Sequence, residues 1–92
     1  MRRRVIYSDR VREFDCTFFK ALPVGTKFRF GSEIDYPGGM QTGLCEKLSA
    51  RKYRYLEDNQ TIEVGSIYAV VLRVNADGEM IRVGHSTISV SD

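Results

Sequence analysis

The stretch from Ile67 to Val83, IYAVVLRVNADGEMIRV, constrains the fold more than any other, because two apolar runs flank an Asp-Gly dipeptide. Its first arm is rich in β-branched residues, and Asp77-Gly78 readily takes the two positive φ angles of a type I′ turn, so the spacing predicts a β-hairpin. With Asp77 and Gly78 as the loop, Ala76 faces Glu79, Val74 faces Ile81 and Leu72 faces Val83. Leu72, Val74, Ile81 and Val83 then share one side with Tyr68 and Val70, giving an apolar face able to cover a core. Arg73 and Arg82 fall opposite each other on the outer side, where two cations repel by a few tenths of a kcal/mol up to roughly 1 unless an anion answers them. A four-residue loop, Asn75 to Gly78, keeps the same inward set and places Arg73 against Met80.

Other segments carry shorter signals. Arg2 to Tyr7 and Val11 to Cys16 read as two strands around Ser8-Asp9-Arg10, the second with Phe14, Cys16 and Arg12 on one face. Thr17 to Leu22 fits a single helical turn capped by Asp15 or Thr17. Pro23-Val24-Gly25 stops it, with proline second and glycine fourth in a type I turn. Thr26 to Phe30 alternates, which predicts Phe28 and Phe30 inward and Lys27 and Arg29 in water. Gly31 to Gly43 is a long polar connection. Leu44 to Leu48 and Lys52 to Leu56 form a hairpin across Ser49-Ala50-Arg51, or else a helix, since Leu44, Leu48 and Arg51 fall three or four apart. Ile62-Glu63-Val64 is a short strand, and Thr87 to Val90 closes the chain after Gly84-His85-Ser86. The expected fold is mainly β, one domain over 1–92: a small twisted antiparallel barrel or sandwich of six to eight short strands with at most one or two short helices.

Composition narrows the function classes. A hydrophobic content of 42% over 92 residues excludes a disordered chain. No apolar run approaches the ~20 residues of a membrane span, and Ser8-Asp9-Arg10 interrupts what would be a leader after Met1-Arg2-Arg3-Arg4, so the expected location is the cytoplasm. Cys16 and Cys45 lie far apart with no ligand partner in spacing, and His85 is the single histidine; buried thiols are expected, and neither metal nor cofactor. Net charge is +2, yet residues 1–20 hold six basic and three acidic side chains while residues 59–92 hold two and four. That asymmetry suits an anionic partner without demanding one.

Four groups of residues are candidates for contact. Arg51, Lys52, Tyr53, Arg54 and Tyr55 interleave cations with rings; an exposed Tyr53/Tyr55 face would stack bases at ~1 to 3 kcal/mol each, whereas buried rings would simply fill the core. Arg2, Arg3 and Arg4 either guard a strand edge or neutralise phosphates and carboxylates. Tyr36 and Met40 sit in a glycine-rich loop without the P-loop lysine, and suit a protein contact. Arg73 and Arg82 are the cation pair of the hairpin. One histidine without an orienting carboxylate, and scattered acids without a paired spacing, argue against an enzyme.

Phe19-x-x-Leu22-Pro23-x-Gly25-x-x-Phe28-x-Phe30, followed by Cys45-Glu46-Lys47-Leu48-Ser49-x-Arg51-x-Tyr53-Arg54-Tyr55, resembles the plan of short all-β accessory proteins of bacteriophages and other mobile elements, over about residues 17–74. The chain departs from that plan in its longer glycine-rich loop, basic amino terminus and carboxy-terminal hairpin. The resemblance implies a protein that acts by binding and brings no catalytic residues. The expectation is therefore a non-catalytic protein that inhibits or modifies a host or bacterial protein. A small β-barrel nucleic-acid binder is the second reading and a binder of a small anionic nucleotide the third. A homodimer is compatible with open strand edges.

Overall fold

A computed structural model of the chain describes residue 11 and residues 13–35 and 42–83. Six strands are found there: β1 (Cys16–Phe18), β2 (Lys27–Phe30), β3 (Cys45–Lys47), β4 (Lys52–Tyr55), β5 (Thr61–Glu63) and β6 (Val70–Arg73). A 3-10 turn (Phe19–Ala21) follows β1, and a one-turn helix, α1 (Ser32–Asp35), follows β2. The strands form one antiparallel sheet in the order β1-β6-β2-β3-β4-β5. The mainly-β expectation holds, but the sheet does not close: β1 and β5 are its outer strands and do not pair with each other. The expected strands Arg2–Tyr7 and Thr87–Val90 lie outside the described residues.

β6 is central because its sequence can be covered on both sides. Val71 joins a core of Phe19, Leu22, Phe28, Phe30, Cys45, Tyr53 and Val64 on one face, while Val70 and Leu72 pack with Val11, Cys16 and Ile34 on the other. The aromatic residues of the first core meet edge to face. Phe30 and Tyr53 lie 5.0 Å apart between centroids, Phe28 and Phe30 5.3 Å, and Phe19 and Phe28 5.6 Å. Each such pair adds about 0.5–1.5 kcal/mol beyond the area it buries. Lys52–Tyr55 and Cys45–Lys47 form the hairpin expected between them, with Cys45 opposite Tyr55 and Lys47 opposite Tyr53, so the helical alternative is overturned.

The Ile67–Val83 hairpin differs from both expected registers. Val74 bridges Met80, the Asn75 amide donates to the Glu79 carbonyl at 2.9 Å, and the Gly78 amide to the Asn75 carbonyl at 3.0 Å. The loop is thus three residues, Ala76 to Gly78, with a positive φ at Gly78 (80°) but not at Asp77. Asn75 decides this. Its Oδ1 accepts the amides of Asp77 (2.9 Å) and Glu79 (3.0 Å), a local substitute for strand pairing that favours a type I turn ending on a left-handed glycine.

Beyond Met80 the returning arm leaves β6. Residues 13–15 come between the two: the Asp15 amide donates to the Ile81 carbonyl, the Arg73 amide to the Asp15 carbonyl, and Phe14 bridges Arg82. Arg73 and Arg82 therefore never face each other. The first arm also falls short of expectation, since the strand starts at Val70 and Tyr68 and Val83 are each 52% exposed. Of the expected Val11–Cys16 strand, only Cys16 lies in β1.

Candidate functional site: the loop end of the sheet

The ladder registers bring the start of β2, the end of β3, the start of β4 and the end of β5 to one end of the sheet. β3 turns into β4 there through residues 48–51; the 3-10 turn and Pro23–Gly25 carry the chain to it from the far end of β1, and residues 64–69 carry it away to the start of β6. We call this the loop end. Its turn at Pro23 is closed by the Thr26 amide donating to the Pro23 carbonyl at 3.2 Å, with Gly25 at φ 91°, one residue later than the sequence suggests. Only glycine takes that φ without strain.

Lys47 anchors the whole end. Its side chain enters the core at 4% exposure, and its Nζ donates to the carbonyls of Leu22 (2.7 Å) and Phe19 (2.9 Å), with Lys20 O at 3.5 Å. The ammonium also lies 4.7 Å from the centre of the Phe19 ring. The Phe19 carbonyl also accepts the Leu22 amide at 3.1 Å, so a lysine 25 residues beyond Leu22 ties down the carbonyl end of the turn, and the expected side-chain cap by Asp15 or Thr17 is not made. Burial pulls the Lys47 pKa below its ordinary 10.5. The backbone is tied as well: the Lys47 amide donates to Thr26 O at 3.0 Å and Gly25 N to Lys47 O at 2.8 Å.

Around this anchor, Lys20, Lys27, Arg51 and Lys52 are exposed, and none has a carboxylate partner among the described residues. Glu46 stands opposite Lys27 and Glu63 opposite Lys52, neither within ion-pair distance of its lysine. Lys20 Nζ sits 5.0 Å from the centre of the Tyr68 ring, which is braced edge-on by Phe18 at 6.0 Å. Val24, at 64% exposure, projects from the neighbouring turn. The arrangement is a fixed turn with an exposed ring, an exposed aliphatic side chain and cations that no described carboxylate engages.

The arginines of the sheet are used differently. Arg73 is bound to Asp15 (2.9 Å), Arg82 to Glu13 (2.9 Å), and Arg29 to Glu33 (3.0 Å) and to the Gly78 carbonyl through Nε (2.9 Å). Arg82 additionally covers the Phe14 ring at 4.7 Å. Arg29 was expected in water and is half-buried instead.

Several expected contact residues change role. Tyr53 is buried at 4% exposure, contacting Phe19, Phe28 and Phe30, so it offers no face to a base. Tyr55 is half-buried, 5.6 Å from Tyr53 and sharing a hydroxyl hydrogen bond with it. Arg54 is paired with Glu46 across the β3–β4 ladder. Arg73 and Arg82 hold internal carboxylates. Arg51 and Lys52 remain available at the loop end. Arg2, Arg3, Arg4, Tyr36 and Met40 lie outside the described residues, as does His85. Lys20, Lys27, Lys47, Tyr68 and Val24 were not read as contact residues from the sequence. Their common signal is position, since each lies at or beside a strand terminus or on the 19–25 turn that Lys47 holds.

Neither thiol reads as reactive. Both cysteines are unbridged and buried, and burial with the nearby Glu33 carboxylate pushes Cys45 up to about 12, which keeps it protonated. Among the described residues no group of three or more His, Cys, Asp or Glu could hold a metal ion, and no helix is long and apolar enough to cross a membrane. No protein family, curated protein or solved structure matches the chain.

Proposed function

We propose that this protein is a non-catalytic binding protein that works by stoichiometric contact between its loop end and an acidic surface of a partner protein. One observation carries the reading: Lys27, Arg51 and Lys52 share an end of the sheet, Lys20 lies on the turn that Lys47 ties to it, and none of the four has a carboxylate partner among the described residues, whereas Arg29, Arg54, Arg73 and Arg82 are each engaged by one. Exposed Tyr68 and Val24 add apolar area beside those charges, the mixture that favours a protein interface. The anchored turn lowers the ordering cost of docking. The resemblance of residues 17–74 to phage and mobile-element accessory proteins supplies the proposed setting, inhibition or modification of a host protein.

A nucleic acid is the second reading, because the same four cations suit phosphates. It now lacks its stacking platform, since Tyr53 is in the core. The deciding experiment is a pulldown from nuclease-treated host lysate with the native chain and with a Lys20→Glu, Arg51→Glu, Lys52→Glu variant of verified circular dichroism. One partner recovered in stoichiometric amount by the native chain and lost by the variant supports a protein contact. Equal recovery by both baits overturns the proposed surface. Recovery that needs intact nucleic acid, with log affinity falling against log salt at a slope near −0.9 per phosphate on duplex DNA, moves the assignment to the second reading.

A further inference from the structure

β5 is an edge strand whose outward backbone can be assigned from its bonds. Along the β4–β5 ladder Lys52 faces Glu63, Tyr53 faces Ile62 and Arg54 faces Thr61. The Tyr55 amide donates to the Gln60 carbonyl at 3.0 Å and the Val64 amide to the Arg51 carbonyl at 2.7 Å. Bonded and non-bonded pairs alternate in an antiparallel ladder, so Tyr53 and Ile62 form the bonded pair between those two. Thr61 and Glu63 are the non-bonded positions. Their N–H and C=O groups point away from β4, toward the open side.

Edge strands are commonly blunted by lysine, proline or a bulge. β5 has neither lysine nor proline, and both of its outward-facing residues are exposed.

We propose that β5 pairs antiparallel with β5 of a second copy of this chain, on a two-fold axis through Ile62, joining two six-stranded sheets edge to edge. In this register Thr61 exchanges a pair of backbone hydrogen bonds with Glu63 of the second copy, and the symmetry repeats the exchange on the other side of the axis. Charge is complementary along the join. Lys52 stands beside Glu63, which meets Thr61 of the second copy, which stands beside Arg54 of the second copy, so no like charges become neighbours. Moving the axis to Glu63 would set two carboxylates face to face, which disfavours that slip. On the other face the half-buried Ile62, packed against the first core, meets its own copy and loses its remaining exposure. The contact uses a short strand and is therefore weak and concentration-dependent. It adjoins the proposed partner surface at Lys52 and leaves Lys20, Val24 and Tyr68 uninvolved.

Amide exchange and sedimentation of the full chain between about 20 μM and about 1 mM test it, a range suited to a weak self-contact. The Ile62 amide should be protected throughout. The Thr61 and Glu63 amides should gain protection only as the average mass rises toward that of a dimer. Thr61→Pro removes an outward donor and no bond to β4, so it should stay monomeric at every concentration with an unchanged spectrum. Should that variant fail to fold, Thr61→Glu, which sets a carboxylate opposite Glu63 of the second copy, should show the same loss. A monomeric mass at the upper concentration, a dimer whose Thr61 and Glu63 amides exchange freely, or a folded variant that dimerises like the native chain each overturns the proposal.

Discussion

The cations around Lys47 and the arginines elsewhere in the sheet are alike in kind and are used in opposite ways. Lys47 is buried and satisfied by backbone carbonyls, and Lys20, Lys27, Arg51 and Lys52 around it are left exposed. Arg73 and Arg82 close on carboxylates and stitch residues 13–15 between β6 and the returning arm. The difference follows from where the acids fall. Glu13, Asp15 and Glu33 are placed by register and by α1 within reach of arginines, while Glu46, opposite Lys27, and Glu63, opposite Lys52, are not within ion-pair distance of those lysines. Residue type alone does not mark a binding surface; the partners that the fold supplies do.

The comparison would break most visibly at its anchor. Lys47→Met keeps the apolar stem and removes the ammonium, taking from the Leu22 carbonyl its donor and from the Phe19 carbonyl one of its two. The expected cost is roughly 3 kcal/mol by chemical denaturation, or loss of folding at physiological temperature. A change within 0.5 kcal/mol would mean that the turn is held by its apolar contacts alone.

Alkaline titration sharpens the contrast, because Cys45 and Lys47 respond with opposite sign. Cys45, raised from 9.0 to about 12, stays protonated in the folded chain while the unfolded chain ionises, so its contribution is fully present below pH 9 and is lost as pH rises toward 12. Burial acts on Tyr53 and Tyr55 in the same direction. Lys47, with its folded value lowered, binds fewer protons than the unfolded chain just below pH 10.5, and there its contribution grows with pH. Stability measured between pH 8 and pH 11 should fall overall, less steeply in Cys45→Ala and more steeply in Lys47→Met. An identical slope in Cys45→Ala would contradict the burial of that thiol.

Gly78 tests the contact of Arg29. Its φ of 80° suits glycine, and an added Cβ would lie 3.0 Å from Leu44 Cδ2, while its carbonyl receives Arg29. Gly78→Ala should therefore cost about 1–2 kcal/mol, through the positive φ and the displaced leucine. A neutral result would show that the three-residue loop can relax without disturbing Arg29.

How much of this was legible follows the range over which each interaction acts. The β3–β4 hairpin and the inward Phe28 and Phe30 depend on alternation within a few residues, and the sequence reading placed them correctly. The Asp77-Gly78 turn was misassigned by one residue because Asn75 competes with its own side chain, a local effect hidden in a dipeptide rule. Arg82 finds Glu13 across 69 positions and Arg73 finds Asp15 across 58, separations over which no periodicity carries information. Lys47 alternates with Cys45 on the inward face of β3, a pattern that marks it as buried; what it would meet there was not readable. The candidate surface was half visible. Arg51 and Lys52 stood out in their charge run, but Lys20, Lys27 and Tyr68 join them only once the strand order is known.

The smallest expected effect bears most directly on the contrast between the two sets of cations. Removing exposed cations that have no carboxylate partner among the described residues should leave folding nearly untouched: Lys20→Ala, which gives up only its place over the exposed Tyr68 ring, Arg51→Ala and Lys52→Ala are each expected within about 0.5 kcal/mol of the native chain. Arg73→Ala and Arg82→Ala should each cost about 0.2–1 kcal/mol, because each loses a surface pair, and Arg82 also its position over Phe14. A double-mutant cycle on Arg73 and Asp15 should return a coupling of that size, reduced at high salt. If the loop-end substitutions proved the more destabilising set, those cations would be structural and the surface would lose its claim to a partner. If they are neutral while binding is lost, exposed charge at that end is serving another molecule.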